Sequence, residues 1–117
     1  RTEDQINRWA SRYGLKDTPK DLMEYAKTTP LGRYACVNLE PYYTVEFRMF
    51  RGTLKYKTLI ATLQLVDEIC NAAISLSSEE MQRLSWKNFT SDINEKSKPE
   101  LIGYLKQRQL FNEEGVR

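Results

Sequence analysis

The sequence has no histidine, few cysteines and no long apolar run, and each shortage removes a class of function. Without histidine, these residues cannot form a Ser-His-Asp or Cys-His catalytic arrangement or a histidine-ligated zinc or haem site. Cys36 and Cys70 form neither a CxxC motif nor a zinc spacing, so we expect buried, reduced thiols. No apolar run reaches the roughly 18 residues of a membrane span. Chemistry here must therefore use carboxylates, Arg, Lys, Asn, Tyr or a metal bound through oxygen.

Charge of one sign is also in short supply. The net charge is +2, from 18 basic and 16 acidic residues among 117. That balance argues against nucleic acid as the main partner. The length and the 40% hydrophobic content fit one soluble domain over residues 1–117. No signal-peptide pattern appears, so we expect a cytoplasmic protein.

Local signals predict helices at both ends of the chain and a long one in its centre. A capping box at Thr2 begins the first helix, whose apolar face runs from Ile6 to Tyr13 and which we expect to end at Gly14. Between Tyr56 and Ile74 the apolar residues repeat at helical spacing and predict the main core helix. The apolar stripe of this helix is Leu59, Ile60, Leu63, Val66, Cys70 and Ala73 or Ile74. Further helix starts are predicted at Pro19, Ser77 and Pro99, with a break at Ser85.

The stretch 33–54 predicts two short strands joined by the loop Pro41-Tyr42-Tyr43. The fold class is therefore a mostly helical α+β domain with a short antiparallel hairpin over about residues 34–50. Because side chains alternate along a strand, we expect the apolar face of Val45, Phe47 and Met49 to be buried. The opposite face carries Thr44, Glu46, Arg48 and Phe50.

This second face pairs a carboxylate with a guanidinium, which is typical either of a site or of a simple surface ion pair. If Asn38 lies opposite Thr44, then Cys36 faces Glu46 and Tyr34 faces Arg48. Asn38, Glu46 and Arg48 would then share one face of the hairpin. A slip of one residue would place Asn38 on the wrong side.

The hairpin and the helix after it resemble the C-terminal part of the amidoligases, carboxylate–amine ligases of the glutamine synthetase and glutamate–cysteine ligase group. The segments that carry the resemblance are RYACVNL at 33–39 and TVEFRMFRGTL at 44–54, together with the long helix. The resemblance implies an enzyme in which ATP and Mg²⁺ activate a carboxylate as an acyl phosphate, which an amine then attacks. It also implies that residues 1–117 are the C-terminal fragment of a longer ligase domain, or a degenerate copy of one, and that they are inactive alone.

Carried over residue by residue, the resemblance implies that Glu46 is a metal ligand and that Arg48 is the catalytic, anion-binding arginine. Asn38 and Arg33 match positions where glutamine synthetases keep arginines, and so become candidates for substrate or phosphate binding. Arg51, a further candidate, matches a position where glutamine synthetase has an acid. The partners implied are small-molecule or peptide carboxylates and amines, and the missing N-terminal part of the protein. A homo-oligomer stays open.

Two other classes of function stay open. The stretch 48–57 carries Arg48, Arg51, Lys55 and Lys57, interleaved with aromatic rings, and could bind nucleic acid through phosphates and stacking. Alternatively, the chain is a non-catalytic structural or interaction module, such as one from a phage. Tyr42 and Tyr43 are expected either to pack the loop or to form a substrate platform.

Overall fold

The computed structural model describes residues 2–14, 18–28 and 34–111. The chain divides into two compact units, unit 1 (Arg1–Gly52) and unit 2 (Thr53–Arg117), and each is considered by itself. The described residues are mostly helical with one two-stranded antiparallel sheet, which confirms the coarse α+β prediction. The prediction of one domain over residues 1–117 stays a prediction. The elements are α1 (Glu3–Trp9), α2 (Pro19–Thr28), β1 (Val37–Asn38), β2 (Glu46–Phe47), α3 (Tyr56–Ser75), α4 (Ser78–Gln82), α5 (Trp86–Ser91) and α6 (Pro99–Gln107).

Helix α1 begins as predicted but ends early. The Thr2 hydroxyl accepts a hydrogen bond from the Gln5 N–H at 3.2 Å, and the Gln5 side-chain oxygen accepts one from the Thr2 N–H at 3.1 Å. The helix stops at Trp9 rather than at Gly14, because the backbone of Ser11 pairs with another segment of the chain. The Ser11 N–H donates to the Tyr34 carbonyl at 2.8 Å, so Ser11 is extended instead of helical.

Unit 1 is built around small side chains. Ala10, Ala26 and Ala35 are its fully buried apolar residues among those described. At Ala35 the small side chain accompanies a close backbone approach, because Ser11 and Ala35 form a β-bridge. Unit 1 also contains two edge-to-face pairs of aromatic rings. The ring centroids of Trp9 and Tyr34 lie 5.6 Å apart, and those of Tyr13 and Tyr25 lie 6.1 Å apart.

Unit 2 is organised by the antiparallel packing of α3 and α6. The side-chain oxygen Oε1 of Gln64 accepts a hydrogen bond from the Leu101 N–H at 2.9 Å, near the start of α6. One turn further along α3, Glu68 Oε1 lies 2.8 Å from Lys98 Nζ, just before α6 begins. The buried core of this unit consists of Ile93, Leu101, Ile102 and Leu105, with Leu65, Phe89, Tyr104 and Phe111 packed against it.

The predicted apolar stripe of α3 is buried only in part. Leu59, Leu63 and Ile74 are 46%, 57% and 83% exposed, whereas Ile60, Val66 and Cys70 are half-buried. The face that packs toward α6 carries two apolar residues, Ala61 and Leu65, and two polar residues, Gln64 and Glu68. Two of these four positions are polar, so a search for apolar spacing alone selects a neighbouring face.

The other helix starts follow the sequence signals. Ser77 and Glu80 form a capping box at α4, and these contacts lower the pKa of Glu80. Ser85 caps α5 by accepting from the Asn88 N–H at 3.1 Å. Cys36 and Cys70 are free thiols, as expected, although both are half-buried rather than buried. Over the described ranges, no helix has both the length and the apolar composition needed to cross a bilayer.

The salt bridge at the start of α6 should stabilise unit 2 in a pH-dependent way. Lys98 is 13% exposed and lies 2.8 Å from Glu68 and 3.0 Å from Asp67, and hydrogen bonds to these carboxylates raise its pKa. Lys98→Met should therefore lower the free energy of unfolding by about 1 kcal/mol at neutral pH. A raised folded-state pKa gives stability that is complete below the ordinary value of 10.5 and lost as the pH rises through the folded-state pKa.

Urea unfolding of a Trp9→Phe background, followed by the fluorescence of Trp86 in unit 2, measures this effect. The matched control is Lys96→Met, which removes an exposed lysine with no ion pair among the described residues. The stability difference between Lys98→Met and its parent should shrink above pH 10.5. A difference that is the same at all pH values would contradict an electrostatic origin.

Gln109, just beyond α6, holds a conformation that favours glycine. Its φ is +58°, and the Leu110 N–H donates back to the Leu105 carbonyl at 2.8 Å, as in a Schellman motif. A side chain in this region is strained, so Gln109→Gly should raise the free energy of unfolding by about 0.5–1 kcal/mol. Gln107→Gly, inside the helix, should have the opposite sign. Urea unfolding of both variants checks the pair, and two changes of the same sign would be inconsistent with the strain.

Candidate functional site

The hairpin brings Asn38 and Glu46 directly opposite each other. Val37 pairs with Phe47 and Asn38 with Glu46, so the predicted pairing of Asn38 with Thr44 is wrong by two residues. A shift of two residues preserves the face on which each side chain lies. The prediction that Asn38, Glu46 and Arg48 share one face is therefore unaffected by the error in register.

Asn38 fixes the carboxylate of Glu46. The Asn38 side chain is 5% exposed, and its Nδ2 donates to Glu46 Oε1 at 3.2 Å. Its Oδ1 accepts from the Glu40 N–H at 3.1 Å, which is a local turn typical of asparagine. Both ends of a buried amide are thus used, and the carboxylate is held from one side.

Arg48 contacts the same carboxylate and an aromatic ring. Its Nη1 lies 3.6 Å from Glu46 Oε1, and its Cζ lies 5.3 Å from the centroid of the Tyr34 ring. The Arg48 side chain is 22% exposed and that of Glu46 is 49% exposed. A cation over a ring face is attracted by the ring's quadrupole. The Arg48 guanidinium is therefore held by the Glu46 carboxylate and the Tyr34 ring, while the Glu46 side chain stays about half exposed to water.

Backbone contacts anchor this group to the rest of unit 1. The Arg48 N–H donates to the Cys36 carbonyl at 2.8 Å, which continues the hairpin beyond the paired strands. The Tyr13 hydroxyl donates to the Val37 carbonyl, and burial raises the pKa of Tyr13. A neutral phenol is the form that can donate this bond. Sequence reasoning placed Tyr13 on a helical face and missed this role, because the bond joins residues 24 positions apart.

The described residues do not by themselves form a magnesium site. Glu46 is the one candidate metal ligand, and its Oε1 is already shared by Asn38 and Arg48. In the ranges that the structure describes, no group of three or more Cys, Asp or Glu side chains could hold a metal ion. Mg²⁺ prefers six oxygen ligands in octahedral geometry, so one occupied carboxylate does not suffice.

The structure does not gather the other predicted residues into this cluster. Arg33 lies outside the described residues, and Arg51 is exposed. Tyr42 and Tyr43 are 90% and 91% exposed, with their rings edge to face at 4.6 Å. The two rings contact each other, and the choice between loop packing and a substrate platform stays open.

The predicted burial of the apolar hairpin face is wrong at its first position. Val45 is 53% exposed, while Phe47 and Met49 are half-buried. The paired strands are only two residues long, so Val45 lies before the sheet rather than in it. Of the basic stretch, Arg51, Lys55 and Lys57 are exposed, and Tyr56 between the lysines is 74% exposed. Binding of nucleic acid there stays a prediction.

The bond from Asn38 to Glu46 should make a measurable contribution to the stability of unit 1. Asn38→Asp removes the Nδ2 donor and places a second carboxylate beside Glu46, so we expect a loss of about 2 kcal/mol in the free energy of unfolding. Urea unfolding of a Trp86→Phe background, followed by the fluorescence of Trp9, reports on this unit. Asn7→Asp, at an exposed position of α1, is the matched control. Equal effects of the two substitutions would show that the Asn38 bond is not important.

Comparisons of this chain with models of protein families, with curated proteins and with solved structures find no match. The relation to the amidoligases therefore depends on the residues quoted above and stays a prediction. What the structure adds is geometric, because it joins Asn38, Glu46 and Arg48 in one cluster on a hairpin.

Proposed function

We propose that unit 1 contributes an anion-binding hairpin to the substrate site of an ATP-dependent carboxylate–amine ligase, similar to the C-terminal part of a glutamine synthetase-like catalytic domain. One observation carries the proposal. Asn38, Glu46 and Arg48 share a face of the hairpin and are joined by contacts of 3.2 and 3.6 Å. This is the juxtaposition that the resemblance implies for its metal-side acid and its anion-binding arginine.

In this proposal Arg48 binds a carboxylate or phosphate oxygen of the substrate. A guanidinium offers several N–H donors in a plane and binds such groups in a bidentate manner. Tyr34 and Glu46 hold the guanidinium in place before the substrate arrives, which reduces the entropy lost on binding. Asn38 is a positioning residue, since it acts through the carboxylate of Glu46. Arg51 lies three residues beyond Arg48 and is exposed to an approaching anion.

The remaining parts of the enzyme are assigned to polypeptide outside residues 1–117. Among the described residues Glu46 has no second and third acidic ligand beside it, so this proposal takes the further ligands and the nucleotide-binding residues from that polypeptide. The chain by itself is accordingly inactive. The substrates are a small-molecule or peptide carboxylate and an amine, and the compartment is the cytoplasm.

The full-length polypeptide that contains this sequence tests the proposal. With ATP, Mg²⁺ and a panel of carboxylates, hydroxylamine should trap an activated acyl group as a hydroxamate, with release of ADP. Arg48→Gln should lower the rate at least about 100-fold, because removing one charge-stabilising donor has effects of that size. Arg8→Gln changes an exposed arginine of α1 and should leave the rate unchanged.

Equilibrium dialysis with labelled ATP separates binding from turnover. Mg²⁺-dependent ATP binding by the full-length polypeptide supports the proposal, and its absence would refute the proposal. Hydroxamate formation that survives Arg48→Gln would remove Arg48 from the site. Salt-sensitive nucleic-acid binding that Glu46→Ala leaves unchanged would favour the basic stretch 48–57 instead.

A further inference from the structure

A cavity of about 390 Å³ lies between α3 and α6, within unit 2. Lys57 and Thr58 of α3 line it on one side, and Glu100, Gly103, Tyr104 and Gln107 of α6 on the other. Small-molecule sites in proteins span roughly 300–1,000 Å³, so this cavity has the volume of a small ligand. None of the residues assigned to the hairpin cluster lines it.

The cavity is lined by side chains of opposite charge that do not neutralise each other. Over residues 2–14, 18–28 and 34–111, no ion pair involves Lys57 or Glu100. Lys57 is exposed and Glu100 is half-buried. Both charges are therefore available to a ligand that enters the cavity.

Glu100 is held in place by the contact that joins the two helices. Gln64 Nε2 donates to Glu100 Oε1 at 3.3 Å, while Gln64 Oε1 accepts from the Leu101 N–H at 2.9 Å. The Gln64 amide is thus oriented by the backbone of α6 and in turn orients the carboxylate. Glu100 keeps a second oxygen with no hydrogen bond from the described residues.

Gly103 leaves the wall of the cavity open. It lies in the middle of α6, where glycine destabilises a helix relative to alanine. No atom lies within 4 Å of the position that a Cβ would occupy, so packing within the described residues does not require glycine there. A missing side chain at a cavity wall instead allows a ligand to approach the helix backbone closely.

We propose that this cavity binds a small zwitterion, a free amino acid, with its ammonium group at Glu100 and its carboxylate at Lys57. Gly103 and Tyr104 line the wall against which the rest of the ligand packs. An ammonium group at Glu100 gains a charge-assisted hydrogen bond. The Tyr104 ring already carries a cation, because Arg108 Cζ lies 5.2 Å from its centroid, so the ring offers packing area rather than a second cation–π contact. The proposal goes beyond the ligase function and does not rest on it.

Two-dimensional ¹H–¹⁵N NMR of the labelled chain tests this site directly. The probes are the twenty standard L-amino acids, added in pools and then singly. At least one should shift the amides of Lys57, Thr58, Gly103 and Tyr104 and saturate with a Kd of about 1 mM or below. For L-leucine, the matched analogues are 4-methylpentanoate, which lacks the ammonium group, and 3-methylbutylamine, which lacks the carboxylate. Each analogue should bind at least about tenfold more weakly than the amino acid.

Three substitutions place the ligand in the cavity. Glu100→Gln keeps an acceptor for Gln64 but removes the charge, Lys57→Met keeps the aliphatic stem, and Gly103→Leu fills the space. Each should weaken binding at least about tenfold, whereas Glu95→Gln and Lys87→Met, at exposed positions elsewhere in unit 2, should not. The dispersion of the NMR spectrum shows in each case that the variant is folded.

The opposite results would overturn the proposal. Absence of saturable shifts with every amino acid up to about 10 mM would show that the cavity does not bind this class of ligand. Equal binding of the amino acid and its two analogues would remove the pairing with both charges. Binding that persists in the folded Gly103→Leu variant would place the ligand elsewhere.

Discussion

The side-chain amide of Asn38 bonds at both ends, donating to the Glu46 carboxylate and accepting from the Glu40 N–H. A buried amide that lost either partner would leave a desolvated polar atom, at a penalty of about 1–3 kcal/mol. The paired strands are only two residues long, so their backbone bonds fix little by themselves. The amide therefore sets the position of Glu46, and through Glu46 the position of the Arg48 guanidinium.

Gln64 has the equivalent function in unit 2. Its amide accepts from the Leu101 N–H and donates to Glu100, so a single side chain of α3 satisfies a free N–H at the start of α6 and orients a carboxylate there. Lys98 adds a second polar contact between the same two helices, to Glu68. Buried polar contacts are directional, and they select one alignment of the helices where apolar packing would accept several.

Directional contacts of this kind also explain which features the sequence predicts. The helix starts at Thr2 and Ser77 are correct because a cap involves residues within one turn of each other. The start at Pro99 is correct because proline suits the first turn of a helix, which is also a local preference. The predicted face of α3 is only partly correct because Gln64 and Glu68 are recognisable as packing residues only once α6 is present. The end of α1 is wrong for a similar reason, since the bonds to Ser11 come from Tyr34 and Cys36. Helix caps can be predicted because they depend on neighbouring residues. The packing face of α3 and the end of α1 depend on contacts with residues far away in the sequence.

The candidate site follows the same division. Alternation along the strand places Glu46 and Arg48 on one face whatever the register, and the error of two residues in register leaves Asn38 on that face as well. Register itself depends on the turn and on long-range contacts, so the partner of Asn38 was predicted wrongly. The Tyr13 hydroxyl that anchors β1 was missed, because no local pattern links residues 13 and 37. Sequence thus identifies which residues meet on the hairpin, and the structure supplies what holds them there.

The strength of the Glu46–Arg48 contact decides whether it can serve a ligand. At 3.6 Å, with Glu46 about half exposed, it is a water-screened ion pair of about 0–1 kcal/mol. A carboxylate or phosphate that binds the guanidinium through two short hydrogen bonds gains more than this, because charge-assisted bidentate contacts are about twice as strong as neutral ones. The ion pair is therefore strong enough to orient Arg48 and weak enough to yield to an anion. A fully buried pair at shorter distance would hold the arginine on Glu46. The partial exposure of Glu46 allows the guanidinium to exchange that carboxylate for a ligand anion.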